Sequence, residues 1–142
     1  IANTVKNLGY TPRVALLSFS NFGNPIRPSS KNIREAVNIL IERKVDFEFD
    51  GEMTAEVALD YNLIKENYPF CRLSGSANVL IMPGLLSANI SFKLLQSLGG
   101  GSVLGPLMIG GEKPFQIVQM GSSVSDIVNS ASIAAYNAIY SK

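Results

Sequence analysis

Two short, uninterrupted apolar runs, RVALLSFS (Arg13 to Ser20) and NVLIMP (Asn78 to Pro83), constrain this chain more than any other feature. A strand with one wet face alternates apolar and polar residues. An unbroken run implies a strand covered on both faces, as in a parallel sheet between helices. Between the two runs, Ile33, Ala36, Val37, Leu40 and Ile41 fall at i, i+3, i+4, i+7 and i+8, one apolar helical stripe. Asn32 followed by Glu35 resembles a capping box at its start. Strand and helix alternate, which predicts an α/β fold: a mostly parallel sheet flanked by helices with right-handed crossovers.

The remaining segments fit this pattern. Ala2 to Leu8 reads as a helix tail closed by Gly9, with Pro12 preventing continuation. VDFEF (Val45 to Phe49) alternates like a half-exposed or edge strand. A turn and a short helix follow before Pro69, and Leu85 to Leu98 predicts a helix closed by Gly99, Gly100 and Gly101. GPLMIG and PFQIVQ read as two short strands, and a final helix runs from about Ser122 to Tyr140. The strongest seam falls near Gly105-Pro106.

Composition removes whole classes of chemistry. At 142 residues with 46% apolar and 16% charged residues, the chain suits one globular domain. Twelve basic and eleven acidic residues are interspersed, so no polybasic patch points to nucleic acid or an anionic membrane. No apolar run approaches the roughly 20 residues of a membrane span. There is no histidine, which excludes serine–histidine catalysis and most zinc sites. The single cysteine, Cys71, excludes an internal disulfide, fits a reducing compartment, and reads as a buried or neutral thiol rather than a nucleophile, since no histidine is there to activate it. A cytoplasmic location is expected, and there the sequon at Asn89 carries no meaning.

Several candidate sites have plain alternatives. Gly99, Gly101 and Gly105 miss the dinucleotide spacing by one residue and follow a helix, so they read as caps. Asp50 and Glu52 could hold a divalent cation or act as acid and base, but a turn with Asp50 at its start and Glu52 at a helix N-terminus explains both. Lys113 and Arg27 could meet a phosphate or stay solvated. No metal site is expected. In QMGSSVSDIVNS, Ser123 and Asp126 form a capping-box pattern, while Gly121, Ser122 and Ser123 present backbone N–H groups at a helix start. Asp126 there would repel a phosphate, yet a carboxylate so placed suits accepting a proton from a thiol or hydroxyl.

SANVLIMPGLLSANISFKLLQSLGG and GPLMIGGEKPFQIVQMGSSVSDIVN, with RVALLSFS and DGEMTAEVAL upstream, resemble the phosphate acetyltransferase (phosphotransacetylase) family. YPFCRLSGSANVLIMP and GSSVSDIVN are most similar to the version fused to NADP-dependent malic enzymes. The resemblance implies a partial phosphotransacetylase-like domain of the isocitrate/isopropylmalate dehydrogenase-like fold. Residues 1–107 would form its dimerising α/β subdomain, and residues 108–142 a strand and helix of the coenzyme A-side subdomain. A long preceding portion would supply the other side of the cleft and its basic residues. It also implies coenzyme A or acetyl-CoA near Gly121, Ser122, Ser123, Asp126 and Lys113.

In the family, an aspartate at the helix start takes the thiol proton, and a serine and an arginine precede the loop glycine. Here Asp126 matches the aspartate, while Gln119 and Met120 replace the serine and arginine. Methionine has no donor for a developing oxyanion. The resemblance therefore implies a vestigial base in a non-catalytic segment serving acetyl-CoA-responsive regulation and homo-oligomerisation of a malic enzyme. NADP and a divalent metal (Mg or Mn) would belong only to that enzyme's N-terminal domain, which oxidatively decarboxylates malate to pyruvate. An active phosphate acetyltransferase fragment and a pure dimerisation module are the alternatives.

Overall fold

The computed structural model describes residues 1–101 and 103–140. The chain divides into two compact units: Thr11–Lys93 with Ala2, and Ile1, Asn3–Tyr10 and Leu94–Lys142.

The first unit is built on three parallel strands, β1 (Arg13–Leu17), β2 (Glu48–Met53) and β3 (Val79–Ile81), in the order β2-β1-β3. The continuous apolar run explains the central position: Val14 to Leu17 are all buried, as a strand with neighbours on both edges and cover on both faces requires. With α1 spanning Ala2–Asn7, the crossover from β1 to β2 is α2 (Lys31–Glu42), which buries Ile33 and Val37 of the expected stripe. From β2 to β3 the chain passes through α3 (Ala55–Leu59) and α4 (Tyr61–Asn67). Ala15, Leu17, Met53, Val57, Ala58, Ile64, Leu73 and Ala77 form the core.

The α/β class and parallel sheet stand as the sequence predicts. Several local expectations do not. The second strand runs over Glu48–Met53 rather than Val45 to Phe49, so Asp50 and Glu52 lie inside a strand and not at a turn or helix start. Their charges are balanced by arginines, which makes burial of an acidic strand tolerable. At α2, Ser30 is the N-cap and makes no side-chain capping bond; Glu35 pairs with Lys31 at 3.6 Å instead of forming a box with Asn32. The single helix expected before Pro69 is two. Asp60 ends α3 and caps α4, its side chain accepting from the N–H groups of Asn62 and Leu63.

Strand β2 carries a bulge: Leu16 stands opposite Gly51 and Leu17 opposite Met53, with Glu52 between them. Gly51 has φ of +155°, and a Cβ there would lie 2.6 Å from the Leu16 carbonyl oxygen. Only glycine allows the two backbones to approach so closely.

In the second unit, α6 (Val124–Tyr140) packs with the N-terminal segment, the Tyr136 hydroxyl donating to the Asn7 carbonyl. The segments GPLMIG and PFQIVQ form no strand among the described residues. A side-chain clasp takes the place of a ladder: the Met108 N–H donates to Gln116 Oε1 at 3.0 Å, and Gln116 Nε2 donates back to the Met108 carbonyl at 3.2 Å. Their apolar residues are largely exposed, so the strand signal in the sequence has no partner here.

The expected helix from Leu85 to Leu98 is α5, with those same bounds. Neither α5 nor α6 buries a residue. Leu85, Leu86, Ile90, Leu94, Leu95 and Leu98 of α5 are all exposed. Among the described residues, no helix is long and apolar enough to cross a membrane.

Candidate functional site

The loop before α6 is shaped by its own small polar residues. Ser122 closes a turn, its N–H and Oγ both donating to the Gln119 carbonyl at 3.1 and 2.7 Å. Gly121 lies inside that turn with φ of +87°, a left-handed conformation that glycine adopts without strain. Ser123 and Asp126 then form the reciprocal box the sequence predicts. The Ser123 N–H donates to Asp126 Oδ2 at 2.9 Å, and the Asp126 N–H donates to Ser123 Oγ at 3.2 Å. The N–H groups of Val124 and Ser125 have no partner among the described residues.

The hydroxyl of Ser123 adds a third bond to Asp126 Oδ2 at 2.8 Å. This side-chain bond, followed by the Ser123 backbone bond, holds the Asp126 carboxyl below the usual carboxylate range. Stabilising the anion makes it a weaker proton acceptor. Asp126 is thus a good cap and a poor base.

This loop walls a pocket of about 200 Å³ lined by Gln119, Met120, Gly121, Ser122 and Asp126, with Gly105 and Gln96 across from them. Met120 is fully exposed at its rim. No lysine or arginine lines the pocket among the described residues, and Asp126 is its one charged group. It is smaller than the roughly 300–1,000 Å³ typical of pockets for drug-sized ligands.

The other sequence candidates lie elsewhere. Ser123 does not line this pocket; its bonds are spent on the cap. Lys113 lines a different pocket of about 210 Å³, beside Asn3, Thr4, Asn7 and Asn137. Arg27 uses its backbone carbonyl, which accepts from Ser30 Oγ at 3.1 Å. Gly99 receives no phosphate-loop geometry; its N–H donates to the Leu95 carbonyl as a helix ends. Cys71 is half-buried, and desolvation pushes its thiol above the usual range, with the neighbouring Asp50 adding to the rise against the Leu73 backbone bond. Among the described residues, no three His, Cys, Asp or Glu side chains cluster as metal ligands.

Sequence reasoning missed the polar network of the first unit. Glu52 Oε1 accepts from Ser20 Oγ at 2.5 Å and from Arg34 Nη1 at 3.1 Å. Asp50 accepts from the Arg72 N–H at 2.8 Å and from Arg72 Nη2 at 2.9 Å. Glu48 accepts from both the N–H and the hydroxyl of Ser74. The available signal was the period-2 recurrence of acids at Asp46, Glu48, Asp50 and Glu52, which runs on through the glycine.

Comparison with known proteins agrees with this picture. Residues 1–135 match the phosphate acetyl/butaryl transferase family. The NADP-dependent malic enzyme of Rhizobium meliloti (strain 1021) is 58% identical over 137 residues, 96% of this chain and 18% of that protein. The phosphate acetyltransferase of Treponema pallidum (strain Nichols) is 41% identical over 129 residues, covering 89% of this chain and 38% of that protein. Among solved structures, the phosphotransacetylase from Streptococcus pyogenes superposes with a TM-score of 0.89 at 35% identity, over 97% of this chain and 42% of that one. EutD phosphotransacetylase from Staphylococcus aureus gives 0.87 at 32%, over 96% and 43%. The chain thus spans less than a fifth of that malic enzyme's length and about two-fifths of the solved phosphotransacetylases. It is similar to a phosphotransacetylase-like segment of NADP-dependent malic enzymes, and it belongs to the phosphate acetyl/butaryl transferase family.

Proposed function

We propose that this chain is a non-catalytic, acetyl-CoA-responsive segment of an NADP-dependent malic enzyme. One observation carries the reading: among the described residues, Gln119 and Met120 line the Asp126 pocket where the resemblance puts a serine and an arginine. Acyl transfer to phosphate must hold a phosphate dianion and steady an oxyanion. Gln119 and Met120 offer no cationic donor for that oxyanion, and losing a single preorganised donor costs about 3 kcal/mol, a hundredfold or more in rate. The uncharged thioester end of acetyl-CoA meets no such objection.

Acetyl-CoA bound here would influence malate oxidation through a shared conformational equilibrium, which requires unequal affinity for its two states. The malate chemistry, with NADP and Mg or Mn, belongs in this reading to an N-terminal malic enzyme domain of the same cytoplasmic protein. The uncovered apolar faces of α5 and α6 support a role in homodimers or larger assemblies, with residues 1–107 as the dimerising half and residues 108–142 on the coenzyme A side. The presence of Asp126 in the pocket favours a second reading, an active transferase fragment.

Release of coenzyme A thiol from acetyl-CoA in the presence of phosphate separates the two. The proposed function predicts release at the buffer rate; phosphate-dependent turnover removed by Asp126→Asn would establish the transferase instead.

A further inference from the structure

A separate pocket of about 300 Å³ opens in the first unit, lined by Phe22, Arg34, Val37, Asn38, Ile41, Asp50, Gly51, Glu52, Phe70 and Arg72. Both of its carboxylates are already engaged by hydrogen-bond donors. Glu52 accepts from Ser20 and Arg34, and Asp50 accepts from the N–H groups of Gly51 and Arg72 and from the Arg72 guanidinium. A cation entering the pocket would meet two guanidiniums and carboxylates already paired with them.

The two guanidiniums are in the opposite condition. Arg34 spends Nη1 on Glu52 and Ser30 and reaches the Arg27 carbonyl with Nη2 at 3.4 Å. Arg72 spends Nη2 on Asp50 and lies over the Phe49 ring at 5.0 Å. The Nε of Arg34, and Nε and Nη1 of Arg72, have no hydrogen-bond partner among the described residues. Each arginine is therefore fixed in place by a buried carboxylate while keeping N–H donors to offer.

The four charges sum to zero, so a dianion such as phosphate gains no net attraction and meets two carboxylates. A monoanion with an apolar body gains the donors at one end and the aromatic wall at the other. Phe22 and Phe70 form that wall, ring centroids 4.9 Å apart and edge to face, with Phe70 64% exposed. At this volume the occupant is small. We propose that this pocket binds a small organic monocarboxylate, its carboxylate shared by Arg34 and Arg72 and its apolar body against Phe22 and Phe70. The site is distinct from the Asp126 pocket and does not depend on the reading given to that pocket.

The test is a two-dimensional amide NMR titration of the full chain with sodium phenylacetate, with phenylacetamide and inorganic phosphate as comparison probes. Saturable shifts centred on Phe22, Arg34, Phe70 and Arg72 are expected. Phenylacetamide should bind roughly tenfold more weakly, the loss of one charge-assisted hydrogen bond. Arg72→Lys keeps a positive charge beside Asp50, and Phe70→Ala removes an exposed ring, so both should stay folded. Each should weaken phenylacetate by a similar factor. Absence of saturable shifts at these residues would overturn the proposal. So would equal binding of the amide, tighter binding of phosphate, or unchanged affinity in both folded variants.

Discussion

Arg34 Nη1 lies 3.1 Å from Oε1 of Glu52, whose side chain has no solvent exposure at all. The pair joins the crossover helix to the bulged end of β2, and Ser20 from the loop after β1 completes it at 2.5 Å. Burying a carboxylate without a partner is costly, so the energetic weight of this pair is in what its rupture would leave behind.

Removing the arginine should therefore hurt more than removing both charges. Arg34→Ala is expected to destabilise the first unit by about 3–5 kcal/mol in urea unfolding, with Glu52 left buried without its cationic partner. The double change Arg34→Met with Glu52→Gln should recover a substantial part of that loss.

Gly51 meets Leu16 too closely for any side chain, a Cβ lying 2.6 Å from its carbonyl oxygen. Gly51→Ala should push β1 and β2 apart at the bulge and cost on the order of 1–3 kcal/mol. Amide exchange at Leu16, Leu17 and Met53 would report it, because those residues flank the bulge in the ladder.

Much of the fold was legible because its signals are redundant. The unbroken apolar runs marked β1 and β3, the stripe from Ile33 to Ile41 marked α2, and the serine–aspartate spacing marked the start of α6. The extent of β2 was hidden because Asp50 and Glu52 look like turn residues until Arg72 and Arg34, 22 and 18 positions away, are seen to neutralise them. The segments around Met108 and Ile117 failed for the reverse reason. Their residues are strand-like, but no neighbouring strand pairs with them. Of the site, the local cap was readable. The separation of Lys113 from the Asp126 pocket was not, since it depends on how the chain turns between them.

Asp126 gives the start of α6 a defined pH response. Its carboxyl sits lower in the folded chain than its ordinary value because Ser123 stabilises the anion. The cap's contribution is therefore fully present above the ordinary carboxylate range and is lost as pH falls through the depressed folded value. Helical NMR shifts in the first turn of α6 should be flat near neutrality and decay only in acid. Ser123→Ala should move that decay to higher pH.

Cys71 should react slowly with a thiol reagent such as iodoacetamide at neutral pH. Burial raises its thiol above the usual range, and the nearby Asp50 raises it further. The rate should climb only under alkaline conditions, and a cysteine alkylated at the rate of a free peptide thiol would contradict the packing described.

Restoring the missing pair would test what the pocket lacks. Gln119→Ser with Met120→Arg places a hydroxyl and a guanidinium beside Asp126. Binding of inorganic phosphate to the double variant should rise by roughly tenfold or more over the parent chain, as expected for one added charge-assisted contact. Calorimetry measures it directly.

The central claim is that the loop before α6 takes acetyl-CoA without turning it over, and calorimetric titration of acetyl-CoA into this chain and into Gly121→Val tests it most directly. The left-handed Gly121, at φ of +87°, makes valine there a strong distortion of the loop. Saturable binding to the parent chain, weakened severalfold or more in Gly121→Val, is the predicted result. No binding, or equal binding to both, would contradict the assignment of this loop as the effector site.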